Sequence, residues 1–248
     1  MRDELTRYID GPDIYAATPA ARINALASGA AVSTKQVIYL MELCGFETEQ
    51  TGVLSEWCSL FYPGEWEEFN YYNNLDSYYV NAYGSATGAV EGVGYLAELL
   101  ARLTGKLAYV DDDATTVNRT LDHSSITFPL NRPLYADFAH DPILSSVVTA
   151  LGFKNGTALA ATGPRAGNAW VTSAIVPFSG NIVTERLSCG GKDYVRVLLN
   201  NELQVPANCA GVDKKTGLCL LTEFVKTTEA AIAANKGLFS QCGYATRR

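Results

Sequence analysis

At Lys106 the hydrophobic rhythm of the chain changes. Ahead of it, apolar residues recur at helical spacing. The pattern is clearest over Val90 to Thr104, where Val93, Leu96, Ala97, Leu100 and Leu103 share one face and Gly105 stands next as a stop. Residues 34–43, TKQVIYLMEL, keep the same period and end at Cys44-Gly45, and Gly64 to Val80 reads as a further helix. The aromatic run within it (Trp66, Phe69, Tyr71, Tyr72, Tyr78, Tyr79) reads as packing surface rather than as a stacking platform. Beyond Lys106, LAYV at 107–110, LYADF at 134–138, AWVTSAIVPF, NIVTERLSC and DYVRVLLN read as strands, the last three separated by Gly-rich turns. Helices are expected where PILSSVVTALG starts on Pro142 and closes on Gly152, and from Leu221 to Ala234. A mostly helical part over 1–106, then an α/β part over 107–248, is the architecture this succession implies.

Charge and cysteine usage narrow the function classes. Apolar residues make up 48% and charged residues 18%, with no apolar run of membrane-spanning length, so the expectation is a soluble globular protein with no membrane partner. A net charge of -7 with dispersed Lys and Arg argues against nucleic acid, whose binding needs clustered cations. It leaves room for a small phosphorylated substrate, since a local cationic pocket overrides the global field. With six cysteines, no C-x-x-C and two histidines, no zinc site is expected and no metal or other cofactor is called for. The even cysteine count, with acceptor sequons at Asn118 and Asn155, favours an oxidising, extracellular setting. The opening MRDELTRYIDGPDIY carries charges where a signal peptide needs an apolar stretch. The simplest reading of a secreted-looking body without that signal is a sequence that begins inside a longer protein.

One constellation carries chemistry. LYADFAHD, residues 134–141, puts His140 and Asp141 at the end of an expected strand and ahead of an expected helix. Open α/β sheets bind ligands at such ends, and a helix N-terminus presents unpaired N–H groups to an anion. A cationic His140 can hold a phosphate oxygen and Asp141 can protonate a leaving alkoxide. The same residues also read as an ordinary helix start, with Asp141 as cap and Pro142 at the first position.

Longer motifs decide between these. ITFPLNRPLYADFAHD with LGFKNGT, IYLMELCGFET, SEWCSLF, EGVGYLAELLARLTG, ERLSC, YVRVLLNN and the closing Cys209, Cys219, LTEFVK, Cys242 series resemble, in order, the histidine acid phosphatases of fungal type, the family that includes phytases. The resemblance runs from about Gln36 to Cys242. It implies a phosphoglycerate-mutase-like α/β fold with an adjoining helical domain, here an incomplete α/β domain behind a mostly helical region. It implies phosphomonoester hydrolysis through a phosphohistidine, with His140 binding phosphate and Asp141 donating the proton. Glu42 falls at the family's specificity pocket, or equally serves as a helix-surface carboxylate. The implied disulfides are Cys44–Cys58 and Cys209–Cys219, leaving Cys189 and Cys242 unpaired. Secretion is likewise a property of the family.

Two departures matter. Where the family has Asn or a small polar residue after the Asp, this chain has Pro142, which removes a side chain and a backbone donor beside the phosphate. No Arg is followed by His, so the RHG-x-R-x-P motif bearing the nucleophile does not occur in this sequence. His123 lies where the family has no catalytic histidine and reads as a loop residue, and Arg165 in TGPRAG does not replace the family's clustered arginines. The alternative expectation is therefore a non-catalytic truncated or diverged relative that keeps the scaffold.

Overall fold

A computed structural model describes residues 11–242, apart from 112, 114, 116 and 117; the side chains of 11, 12 and 242 are not described. Two compact units share the chain. The first comprises residues up to Asp76 together with Leu159–Thr172, and the second comprises Ser77–Ala158 and the chain from Ser173 onward. The helix over 90–104 lies in the second unit, with segments C-terminal to it.

In the first unit the helices are α1 (Gly11–Tyr15), α2 (Ala17–Leu26), α3 (Thr34–Thr51) and the front of α4 (Pro63–Asn81). Helix α3 starts on a complete capping box: Ser33 accepts from the Gln36 amide and Gln36 accepts from the Ser33 amide, which fixes where the chain turns. Ala16, Ala20, Ile23, Val37, Ile38, Met41 and Phe61 form its core, and Trp66, Phe69 and Tyr72 pack against it. The aromatic run is therefore packing. Buried Glu65 takes both ends of the Arg22 guanidinium, at 2.7 and 3.2 Å. A disulfide joins Cys44 to Cys58, tying α3 to the 3-10 turn Glu56–Leu60.

The second unit is built on α5 (Val90–Thr104), whose Val93, Leu96, Ala97 and Leu100 are buried. Helix α8 (Asp141–Ala150) crosses it at very close range: a Cβ on Gly92 would lie 2.7 Å from the carbonyl of Ser146. The same unit holds a wholly antiparallel sheet in the order β1 (Ile182–Cys189), β2 (Lys192–Leu199), β3 (Glu202–Gln204), with β4 (Cys219–Leu220) also pairing β2. Both tight hairpins turn through left-handed residues, Gly190-Gly191 and Asn200-Asn201, the pair of positive φ values that a two-residue hairpin matching strand twist requires. Val195, Val197 and Leu199 alternate inward on the central strand, and α10 (Leu221–Asn235) comes directly after β4. Cys209 and Cys219 are disulfide-bonded, Cys189 is an exposed free thiol, and the Cys242 side chain lies outside the described residues.

Three expected strands are not strands. Residues 107–110 enter a helical turn, α6 (Ala108–Asp111), because Val110 turns inward to Ala101 and Phe128 straight after the Gly105 stop. Within 169–178 the chain makes the short helix α9 (Thr172–Ile175): Asn74 accepts from the Thr172 amide and buried Trp170 and Ile175 flank the turn. LYADF at 134–138 carries no regular secondary structure; a strand needs a neighbour to take its N–H and C=O groups, and among the described residues its backbone has none.

The Gly92 crossing yields the first prediction. Gly92→Ala should destabilise by about 1–3 kcal/mol through overpacking, read from denaturant midpoints. Gly64→Ala, in open space on the first turn of α4, should be neutral or gain up to about 1 kcal/mol. Equal effects at the two positions would contradict the packing at Gly92.

Candidate active site

His140 has extended backbone (φ -116°, ψ 162°) and caps α8, with Asp141 as the first helical residue and Pro142 in the first turn. The cap is thus His140 and not Asp141, and His140 makes no side-chain capping bond; both side chains are exposed. Leu144 N–H already donates to the His140 carbonyl at 3.0 Å, and Pro142 has no N–H. The N–H groups of Asp141 and Ile143 remain to face an anion at this terminus. Proline in the first turn is compatible with the helix, since that turn needs no internal donor.

The feature leading into this terminus was missed by sequence reasoning. Arg102, in the last turn of α5, donates through its Nη atoms to both carboxylate oxygens of Asp137 and at 3.2 Å to Glu98. Its guanidinium also lies 5.0 Å from the Phe128 ring centre and 5.1 Å from that of Tyr135. A lone Arg in the polar strip of an apolar helix gives no signal by itself; ARLTG and YADF had to be placed together first. Around it gather acids. Burial pushes the Glu98 carboxyl up, Arg102 opposes, and the charges of Asp137, Asp122 and Asp113 push it further up. The Tyr95 hydroxyl is raised as well, by burial and then by Asp137. Asp122 is buried with neither carboxylate oxygen hydrogen-bonded, and the Arg102 Nε is likewise buried without a partner. His123, exposed, closes the short helix α7 (Arg119–Asp122) and sits 3.1 Å from Asp111. Its surroundings are a loop.

Glu42 belongs to the first unit, where it is half-buried on α3 and its carboxyl is raised by burial and then by the charge of Asp76 on α4. The structure thus brings together the two acids of that region, while His140 and Asp141 stand in the second unit. Asn118 and Asn155 are exposed. Among the described residues no three His, Cys, Asp or Glu side chains are grouped to hold a metal ion, and no helix is long and apolar enough to cross a membrane.

Against this geometry, the family model of the histidine phosphatase superfamily (branch 2) matches residues 11–200. The chain belongs to that superfamily. It is similar to Phytase A of Aspergillus terreus, at 39% identity over 222 residues that cover 86% of this chain and 47% of that relative. It is similar to Phytase A of Penicillium oxalicum at 35% identity over 245 residues, 92% of this chain and 50% of that one. Among solved structures the phytase from D. castellii shares the fold, with a TM-score of 0.70 at 20% identity over 88% of this chain and 43% of that one. The chain spans about half the length of the curated relatives it matches. The α/β histidine phosphatase fold is therefore its fold, realised in this chain as helices with an antiparallel sheet.

The acid pair gives the second prediction. A carboxyl raised in the folded state binds its proton more readily there than in the unfolded chain. It therefore favours folding at low pH, and that contribution is lost as pH rises through the folded value. Glu42→Gln should accordingly raise the melting temperature at pH 7, and the gain should vanish as pH falls to the ordinary carboxyl range. A gain that is the same at both pH values would contradict a Glu42 carboxyl raised by burial and by Asp76.

Proposed function

We propose that this chain carries the phosphate-binding and proton-donating part of a secreted histidine acid phosphatase acting on phosphate monoesters. The observation that carries the reading is the exposed N-terminus of α8, which presents His140 and Asp141 side by side with two unpaired N–H groups. Protonated His140 and those donors would take phosphate oxygens, while the Asp141 carboxyl would hand its proton to the leaving alkoxide. The two disulfides and the exposed sequons at Asn118 and Asn155 support an extracellular setting. Residues 1–106 would then be a portion of the family's helical domain and 107–248 the C-terminal part of its α/β domain.

In the family the phosphoryl group passes to a histidine of RHG-x-R-x-P, and that motif does not occur here. Two features fit a site awaiting a complement: the stretch 134–138 without backbone pairing among the described residues, and the Leu134 and Phe138 side chains at 80% and 98% exposure. A scaffold-only relative is the second reading, favoured by Pro142, which leaves one donor fewer for the phosphate. By resemblance to the family, Glu42 falls at the specificity pocket and Asp76 in the segment ahead of EGVGY where phytases often carry lysines, so acids stand at positions where cations would serve phytate. A complete protein of this kind would be a broad acid phosphatase more than a dedicated phytase.

One cation and one proton donor supply about 10²–10⁴-fold by acid catalysis, far short of the roughly 10²¹-fold that enzymes reach on phosphate monoesters. The 248-residue chain should therefore release no measurable p-nitrophenol from p-nitrophenyl phosphate between pH 2.5 and 6. Robust turnover that Asp141→Asn abolishes would overturn this and would require a nucleophile within the chain, with His123 the only other histidine.

A further inference from the structure

The approach to the candidate site is built without backbone hydrogen bonds. From Pro129 to Ala139 no main-chain N–H or C=O pairs with another main-chain group among the described residues; the Arg132 amide alone finds a partner, the Tyr135 hydroxyl at 3.0 Å. Eleven residues of such chain would ordinarily sample many conformations, because each unfixed residue keeps its backbone entropy. Yet His140 must emerge from it at one place.

Side chains fix it instead, and they converge on Arg102. The guanidinium forks onto both Asp137 oxygens and lies against the rings of Phe128 and Tyr135. The planar fork sets direction as well as distance, which an ammonium would not. Only Phe138 and Ala139 separate Asp137 from His140, and both are exposed. On the far side of His140, α8 is locked onto the same helix α5 at Gly92. One rigid helix therefore holds the chain on both sides of the pair, through Arg102 before it and through the Gly92 crossing after it.

We propose that Arg102 is a positioning residue for His140 and Asp141, acting through Asp137 and Tyr135 rather than by touching phosphate. Its guanidinium is already shared between Asp137 and Glu98, which leaves it poorly placed to act as an anion ligand itself. The proposal rests on His140 and Asp141 forming the phosphate site, and its test separates the two.

The test is nitrogen-15 relaxation of the full chain, with a titration of inorganic phosphate followed at the His140 ring. In the native chain the heteronuclear NOE of 137–140 should match that of helix 141–150. Arg102→Gln and Asp137→Asn should each drop it to values typical of a mobile loop and weaken the phosphate response of His140 several-fold. Arg102→Lys should restore only part of the order, since it keeps the charge and loses the fork. Arg186→Gln is the control: Arg186 binds the Leu103 carbonyl at 2.7 Å and Asp193, and its loss should leave both readouts unchanged. If Arg102→Gln fails to fold, Asp137→Asn and Arg102→Lys decide the matter. Unchanged NOE values in folded variants, or equal loss in the Arg186 control, would overturn the proposal. Phosphate that leaves His140 unmoved in the native chain would instead overturn the reading of the site, while the NOE values still decide the role of Arg102.

Discussion

The second unit depends on the approach of α5 to α8 at Gly92. With no side chain there, α5 comes up against the backbone of α8, and its apolar face closes over the buried half of that helix. Both sides of the candidate site are referred to that crossing. The N-terminus of α8 is aimed by it, and Arg102 at the other end of α5 holds the chain that runs into it. Arg186 ties the Leu103 carbonyl of the same helix to the sheet. A short, strongly apolar helix thus acts as the common frame for pieces far apart in sequence.

Around that frame charge is distributed unevenly. Asp137 and Glu98 share one guanidinium, and the Glu98 carboxyl is raised, first by burial, against the opposing Arg102, and then by the charges of Asp137, Asp122 and Asp113. A raised carboxyl favours the folded state at low pH and loses that contribution as pH rises through its folded value. Protonation of Glu98 removes one of the negative charges gathered beside Arg102. The Glu42 carboxyl in the first unit is raised with the same sign, by burial and then by the charge of Asp76. Acid is the condition in which both clusters repel least.

Helices were legible in the sequence because their signal is local: the α5 stripe with Gly105 behind it, and the α8 start at Pro142, needed only spacing. The β1–β2 hairpin was legible for the same reason, with its turn at Gly190-Gly191. LAYV, LYADF and AWVTSAIVPF carry equally good β-formers and fold otherwise, because a strand is a statement about a neighbour and the sequence of one segment does not contain its neighbour. The candidate pair His140 and Asp141 stands out in the sequence only through the ordered motifs around it, and its role is the one proposed above. Arg102 does not stand out, since its role exists only once α5 and the 128–140 segment lie side by side.

The proposed phosphate site at the start of α8 is made by His140, the Asp141 and Ile143 amides, and the Asp141 carboxyl. Crystals of the chain soaked at acid pH with tungstate, a heavy phosphate mimic, test it most directly through anomalous scattering. One strong peak is expected within hydrogen-bond reach of the His140 ring and the Ile143 N–H, absent from His140→Ala crystals. A peak placed elsewhere, or one that survives the loss of His140, would contradict it.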